Sequence, residues 1–413
     1  MRRHNSTSLR LQCLIESRAS GRGQGSTALR LPVAERSRKL QTHKEVLRTY
    51  RCIVSTHSDP PSVDSTLDDF KGLINWENLN AWIKSQPVPG TGPVTGARKL
   101  QGGLQNNVFL LERGNETFAL RRPSKHVRPG SNETMLKEAR VLQALAGSAV
   151  PHPRFYAACN DTSVIGVCFY LMEALDGFAP SQQLPGNYAT ETPWRRAMGE
   201  ELIRAAAAMG NFDYNAHGLG DLGKPDGWHE RQVERWRSQL EGYRTQPNYD
   251  GTLPHVEDVG RWLTDNLPKA QLRRIGIVHG DFQFANVMFS YRAPRISGIV
   301  DWELCSLGDP LLDLGWVLAS WWEPGDPDGK NPLVRPWENF LTRADLVRLY
   351  GEVSGRDISA MPWFFALSCY KLACLLEGTY ARSKQGQIPA NVGESVHQYA
   401  VWLMNKAAQI IAA

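Results

Sequence analysis

No stretch of this 413-residue chain approaches the roughly 18 uninterrupted apolar residues that a membrane-spanning helix requires, so no transmembrane segment is expected. Cysteine is scarce and unpatterned. The seven cysteines, Cys13, Cys52, Cys159, Cys168, Cys305, Cys369 and Cys374, form neither a CxxC pair nor a regular framework, which argues against a zinc site. An odd number of cysteines among apolar neighbours favours reduced, buried thiols in a reducing compartment, and a cytoplasmic location is expected. No internal repeats are visible.

Acidic residues are missing from one region in particular. Residues 1–60 carry 12 Lys and Arg against 4 Asp and Glu, so the net charge of +5 resides there and the remainder of the chain is slightly acidic. The globular part is therefore not basic, and no nucleic-acid partner is expected for it. The leading segment is rich in Arg and Ser and contains GRGQGS, which cannot bury enough apolar surface to offset the entropy of ordering it. Residues 1–66 read as a disordered basic extension. Two other readings stand beside this one: a transit peptide around LRLQCLIESR, which would make the protein mitochondrial, and a basic arm that touches RNA or acidic lipid.

What remains is globular in composition, with 42% hydrophobic and 22% charged residues, and long enough for one unit of two lobes. LDDFKGLINWENLNAWIKS is amphipathic. ARKLQGG, NNVFLLERG and ETFALRRP then read as three strands, with Gly102-Gly103 and Gly114-Asn115 at the turns. SNETMLKEARVLQALAG reads as a helix capped by Ser131 or Asn132, and strand signals return at RFYAAC and VCFYLME. An α+β arrangement follows: a small lobe of antiparallel sheet plus one helix, reaching to about residue 175, ahead of a mainly helical lobe over residues 176–413. Thr192-Pro193 opens the first long helix. VHGDFQFANVMF is the one strand signal that interrupts the later helices.

VMF and RISGIVDWE read as a β-hairpin turning near Ala293-Pro294, which sets Val287 opposite Val300 and Asn286 opposite Asp301. Asp281 lies in the loop that feeds the same end. Two carboxylates and an amide carbonyl form an oxygen set suited to Mg²⁺. HGDFQFAN also fits the HxDxxxxN spacing that separates a catalytic Asp from a metal-ligating Asn in kinases. On this reading Asp281 is the general base, and Asn286 and Asp301 are the metal ligands. Gly102 and Gly103 belong to a loop able to lie over phosphates, Arg121 grips phosphate, and Glu138 is its ion-pair partner. The backbone from Glu173 to Leu175 forms the hinge that meets adenine. His279 and Asp313 read as braces for the loop, and Asp309 as a helix N-cap.

With these residues in place, HGDFQFANVMF, GIVDWE and GDPLLDLGWVLASWW resemble the aminoglycoside phosphotransferase and choline kinase group of small-molecule kinases. A narrower similarity is to the kinase-like domain found alone in bacteria and fused to acyl-CoA dehydrogenases in animals. It is carried by DTSVIGVCFYLMEALDG, GLGDLGKPDGWHERQVERWRSQL and YKLACLLEGTYAR, over roughly residues 75–410. The resemblance implies a two-lobed protein-kinase-like fold, ATP and Mg²⁺ as cofactors, and a small-molecule acceptor. For the subgroup, that acceptor is a hydroxyl on a hydroxyacyl-CoA. Lys224, Arg231 and Arg235, just before or on one helix, offer a weak match to the phosphates of a CoA. Arg121 departs from the group's usual Lys, and GGLQNN is looser than its usual Gly-Ser-Asn turn.

Overall fold

A computed structural model describes residues 67–413 except 101–105, 126, 128, 181, 182 and 327–333. The basic extension and the Gly102-Gly103 turn lie outside the described residues. Five strands, β1 (Val94–Lys99), β2 (Asn106–Arg113), β3 (Glu116–Pro123), β4 (Phe155–Cys159) and β5 (Phe169–Glu173), form one antiparallel sheet in the order β1-β2-β3-β5-β4.

The two-residue period of the strands decides what each face of the sheet meets. Phe109, Leu111, Phe118, Leu120 and Leu171 are all buried on one face, where Leu79 and Ile83 of helix α1 (Trp76–Ile83) close the core. Each such side chain contributes roughly 1.5–3 kcal/mol when fully buried. The sequence reading gave the small lobe one helix, and α1 is a second. It begins where Asn75 accepts a hydrogen bond from the Asn78 N–H, 3.1 Å away. On the other face Ala119, Tyr170 and Met172 meet helix α2 (Ser131–Ala144) and run on into the core of the helical lobe. The α2 cap differs from expectation: Gly130, at φ +83°, holds the cap position with no side-chain bond, and Ser131 is the first helical residue. A left-handed backbone admits Gly far more readily than Ser.

The helical lobe contains α3 (Gly186–Thr190), α4 (Thr192–Asn211), α5 (Arg231–Arg244), α6 (Val256–Asp265), α7 (Leu311–Ser320), α8 (Arg343–Ser354), α9 (Met361–Lys384) and α10 (Ala390–Ala412). Glu191, one residue before the expected Thr192, occupies the cap position of α4. Helix α9 is buried on nearly every side, as expected of a helix that the others surround. It approaches α7 closely because Gly315 has no side chain. A Cβ there would lie 2.6 Å from the Phe364 carbonyl oxygen.

Two short hairpin-like pairs sit among these helices. β6 (Gly276–Val278) pairs with β9 (Ser306–Gly308), and β7 (Val287–Phe289) pairs with β8 (Ile296–Ile299). The β6·β9 pair had no counterpart in the sequence reading, because SLG is too short to show a period. In the second pair Val287 faces Ile299, one residue from the expected Val300, and the register shifts between Met288 and Phe289. Asn286 consequently faces Val300, whose N–H donates to the Asn286 carbonyl at 2.9 Å.

Candidate functional site

The segment 279–286 is fixed from beneath before any of its side chains can act. Asp313, in the first turn of α7, accepts the His279 N–H at 2.7 Å and the Gly280 N–H at 3.0 Å. Burial pushes its carboxyl up to about 6, while those two N–H donors and Lys371 pull the other way. Gly280 has φ +86°, and a Cβ there would meet the Leu304 carbonyl at 3.1 Å, so both the turn and the close approach require glycine. His279 is fully buried. Its Nδ1 accepts the Asp281 N–H at 3.3 Å, which leaves the proton on Nε2 to donate to the Val300 carbonyl at 3.0 Å. Burial lowers its pKa to about 4, and it braces the loop as a neutral ring.

Asp281 therefore projects from a rigid turn, and three donors fix its carboxylate. Gln283 Nε2 and Trp316 Nε1 approach Oδ1 at 2.6 and 3.2 Å, and Asn286 Nδ2 approaches Oδ2 at 2.8 Å. Because Asn286 Nδ2 also reaches the Asp281 carbonyl, the amide points its nitrogen at Asp281. No described group donates to the Asn286 side-chain oxygen, Oδ1.

Asp301 follows β8 with φ +69°, a left-handed conformation that redirects a side chain no longer opposite Asn286. Its Oδ1 lies 2.7 Å from Arg121 Nη2. Strand period places Arg121 on the same face of β3 as Ala119, toward α2. Helix period places Glu138 on the buried face of α2 with Met135, Ala139 and Leu142. The two meet there, Arg121 Nε lying 2.8 Å from Glu138 Oε2. Tyr170 donates to the same oxygen at 3.1 Å. Burial pushes the Glu138 carboxyl up against the pull of Arg121. On Arg121 burial is outweighed by Glu138 and Asp301, so the guanidinium stays charged.

Several residues that join the lobes escaped the sequence reading. Lys137, next to Glu138, donates to the carbonyls of Glu303 and Cys305 at 2.6 and 3.2 Å. Asn106 at the start of β2 donates to Glu303 Oε2 at 2.9 Å. Glu303 was visible as the acid of DWE, and Trp316 as the residue one turn after Asp313. Pro310, and not Asp309, occupies the cap position of α7; Asp309 accepts the Leu311 N–H at 3.1 Å and is the centre of a buried network with His229 at 3.0 Å and Arg356 at 2.6 Å.

The chain from Glu173 to Leu175 leaves β5 between the lobes. The Glu173 N–H donates to the Arg154 carbonyl at 2.8 Å, and its side chain accepts from the Arg154 N–H. Among the described residues nothing pairs with the Leu175 peptide groups. Arg231 turns back to bond the carbonyls of Lys224 and Asp226, so it holds its own loop and does not reach toward the site.

The donor chemistry suits a hard cation with few protein ligands. One carboxylate and one unpaired amide oxygen, with water and phosphate oxygens completing the shell, match the habit of Mg²⁺. Among the described residues no group of three or more His, Cys, Asp or Glu side chains is placed to hold a metal ion. No described helix is long and apolar enough to cross a membrane.

Known proteins are similar to this chain in sequence and in fold. Acyl-CoA dehydrogenase family member 11 of Rattus norvegicus is 29% identical over 319 residues, which cover 75% of this chain and 40% of that protein. The Gallus gallus protein of the same name is 30% identical over 317 residues, covering 73% and 38%. The chain thus matches less than half the length of these relatives. A solved chain from Ralstonia eutropha JMP134 superposes with a TM-score of 0.69 at 31% identity, covering 81% of this chain and 98% of that one. Choline kinase from Cryptosporidium parvum superposes with a TM-score of 0.52 at 12% identity over 81% of this chain and 95% of its own, a likeness of fold. Residues 96–346 match the Phosphotransferase enzyme family, APH, and the chain belongs to that family.

Proposed function

We propose that the protein transfers the γ-phosphoryl group of ATP to a hydroxyl of a small molecule, with Mg²⁺ as the required cation. The observation that carries this reading is a pair of neighbouring clusters, Asp281 with Asn286 and Asp301 with the Arg121–Glu138 pair, joined where the Val300 N–H donates to the Asn286 backbone carbonyl. A phosphoryl transfer asks the protein for position and charge more than for covalent chemistry. Asp281, its rotamer fixed by Gln283, Asn286 and Trp316, accepts the acceptor's hydroxyl proton. The oxygen then bonds to the γ-phosphorus as the bond to the β-bridging oxygen breaks, and ADP leaves with that electron pair. Asn286 Oδ1 and Asp301 would hold Mg²⁺, which when bound neutralises the β- and γ-phosphate oxygens. Arg121, held by Glu138, would meet the phosphates, and the Leu175 peptide would pair with adenine.

The acyl-CoA dehydrogenase family names of the relatives favour a hydroxyacyl-CoA as acceptor over a cationic aminoglycoside. The test is a metabolite panel scored for ADP release and for the gain of one phosphoryl group by mass. A hydroxylated compound that gains phosphate only with ATP and Mg²⁺ supports the reading. If the protein does not bind ATP in the presence of Mg²⁺, the reading fails.

A further inference from the structure

A small recess of about 60 Å³, partly open to solvent, lies between the 279–286 loop and helices α5 and α9. Its walls include Gly280, Trp228, Arg235, Trp236 and Lys371. Lys371 is 7% exposed. Its ammonium lies 4.5 Å from the centre of the Trp316 ring and 5.3 Å from that of Trp236, and no described residue gives it a hydrogen bond or a salt bridge. Ring faces attract a cation, but they replace only part of the hydration lost on burial. Trp236 adds a second unmatched group, because its buried indole N–H has no acceptor among the described residues. Arg235 brings another positive charge to the same wall, its guanidinium 4.8 Å from the Trp236 ring.

We infer that Lys371, with Arg235, forms a subsite for an anionic oxygen of the phosphate acceptor and thereby selects and orients that acceptor. The inference rests on the phosphotransferase reading and adds a specificity-determining residue to it. Trp316 links the subsite to the chemistry: its indole N–H holds Asp281 at 3.2 Å while its ring faces the Lys371 ammonium. An acceptor bound by its anionic end at Lys371 is held one indole away from the proton acceptor. Burial lowers the Lys371 pKa to about 8, with Arg235 acting in the same direction and Asp313 and Asp281 opposing. An anion in the recess would give the ammonium the charge-assisted hydrogen bond that it lacks among the described residues. Two positive charges also disfavour a cationic acceptor.

A carboxylate and a phosphate ester offer the same oxygen chemistry, and separate probes distinguish them. A short-chain hydroxy carboxylate, the neutral diol of equal length and inorganic phosphate are each titrated into wild type, Lys371→Met, Lys371→Arg and Arg235→Met. Intrinsic tryptophan fluorescence reports binding, and ADP release with MgATP reports turnover of the two alcohols. The wild type is expected to bind the hydroxy carboxylate or phosphate at least tenfold more tightly than the diol. Lys371→Met should erase that preference and Lys371→Arg should restore most of it. A merely structural lysine would lower turnover of both alcohols equally and leave the preference intact, which would overturn the proposal. A wild type without the preference, including one that binds none of the three probes, would do the same. Should Lys371→Met fail to fold, Arg235→Met at its exposed position carries the same comparison. Anion preference without ADP release would keep the subsite and count against the phosphotransferase reading. ADP release that is equal for the diol and the acid would do the reverse.

Discussion

Arg121 Nη2 stands 2.7 Å from Asp301 Oδ1 while Arg121 Nε stands 2.8 Å from Glu138 Oε2, so one guanidinium joins the sheet, α2 and the loop after β8. A lysine, with one compact charge and no fork, cannot match both contacts in this geometry. Removing a charge from such a buried group leaves its partners uncompensated. Arg121→Met should therefore destabilise the protein by about 3 kcal/mol or more in urea unfolding, and Arg121→Lys by distinctly less. Equal stability of Arg121→Met and wild type would show that the three charges do not act as a unit.

Asp281 and Trp316 separate chemistry from support. Asp281→Asn should lower kcat by roughly 10² to 10⁴ with little change in ATP affinity. Trp316→Phe, which removes one donor to Asp281, should lower it by about tenfold, the equivalent of about 1.4 kcal/mol. Steady-state kinetics on the acceptor found by the panel check both. A Trp316→Phe effect as large as that of Asp281→Asn would mean that the indole does more than orient the carboxylate.

Much of this was legible because it is local in the chain. The spacing from Asp281 to Asn286 is a property of one loop, and the Arg121–Glu138 pair follows from strand and helix periods that put each residue on the face between sheet and α2. The hairpin register was legible only to within one residue. Pairing starts from the turn with Phe289 opposite Ile296, and the shift between Met288 and Phe289 recovers only part of the offset, so Val287 faces Ile299 and not Val300. Asn106, Lys137 and Lys371 had no signal of their own. Their partners lie in distant segments, as with Lys137 and the carbonyls of Glu303 and Cys305, and only the assembled core brings them together.

His279 gives a pH dependence with a definite sign. Its folded pKa, about 4, lies below the ordinary 6.5 because burial penalises the charged ring. As pH falls below 6.5 the unfolded chain takes up a proton that the folded loop refuses until about pH 4. Stability is lost across that interval, by as much as about 3 kcal/mol. The difference in urea midpoint between wild type and His279→Asn, followed from pH 7 to pH 4, should narrow as the pH falls. A gap that stays constant would show that His279 titrates alike in both states.

The metal assignment predicts a conditional effect. Asn286→Ala and Asp301→Asn should weaken ATP binding in the presence of Mg²⁺ by at least tenfold and leave binding in excess chelator nearly unchanged. Calorimetric titration under both conditions distinguishes this from general damage, which would lower both affinities together.

The most direct test is phosphoryl transfer itself, followed by mass spectrometry in wild type and Asp281→Asn supplied with ATP, Mg²⁺ and a panel of hydroxylated metabolites. The account predicts that a hydroxyl compound gains one phosphoryl group with the wild type, only in the presence of Mg²⁺, and that Asp281→Asn loses this transfer while still binding ATP. Transfer at the wild-type rate by Asp281→Asn would contradict it.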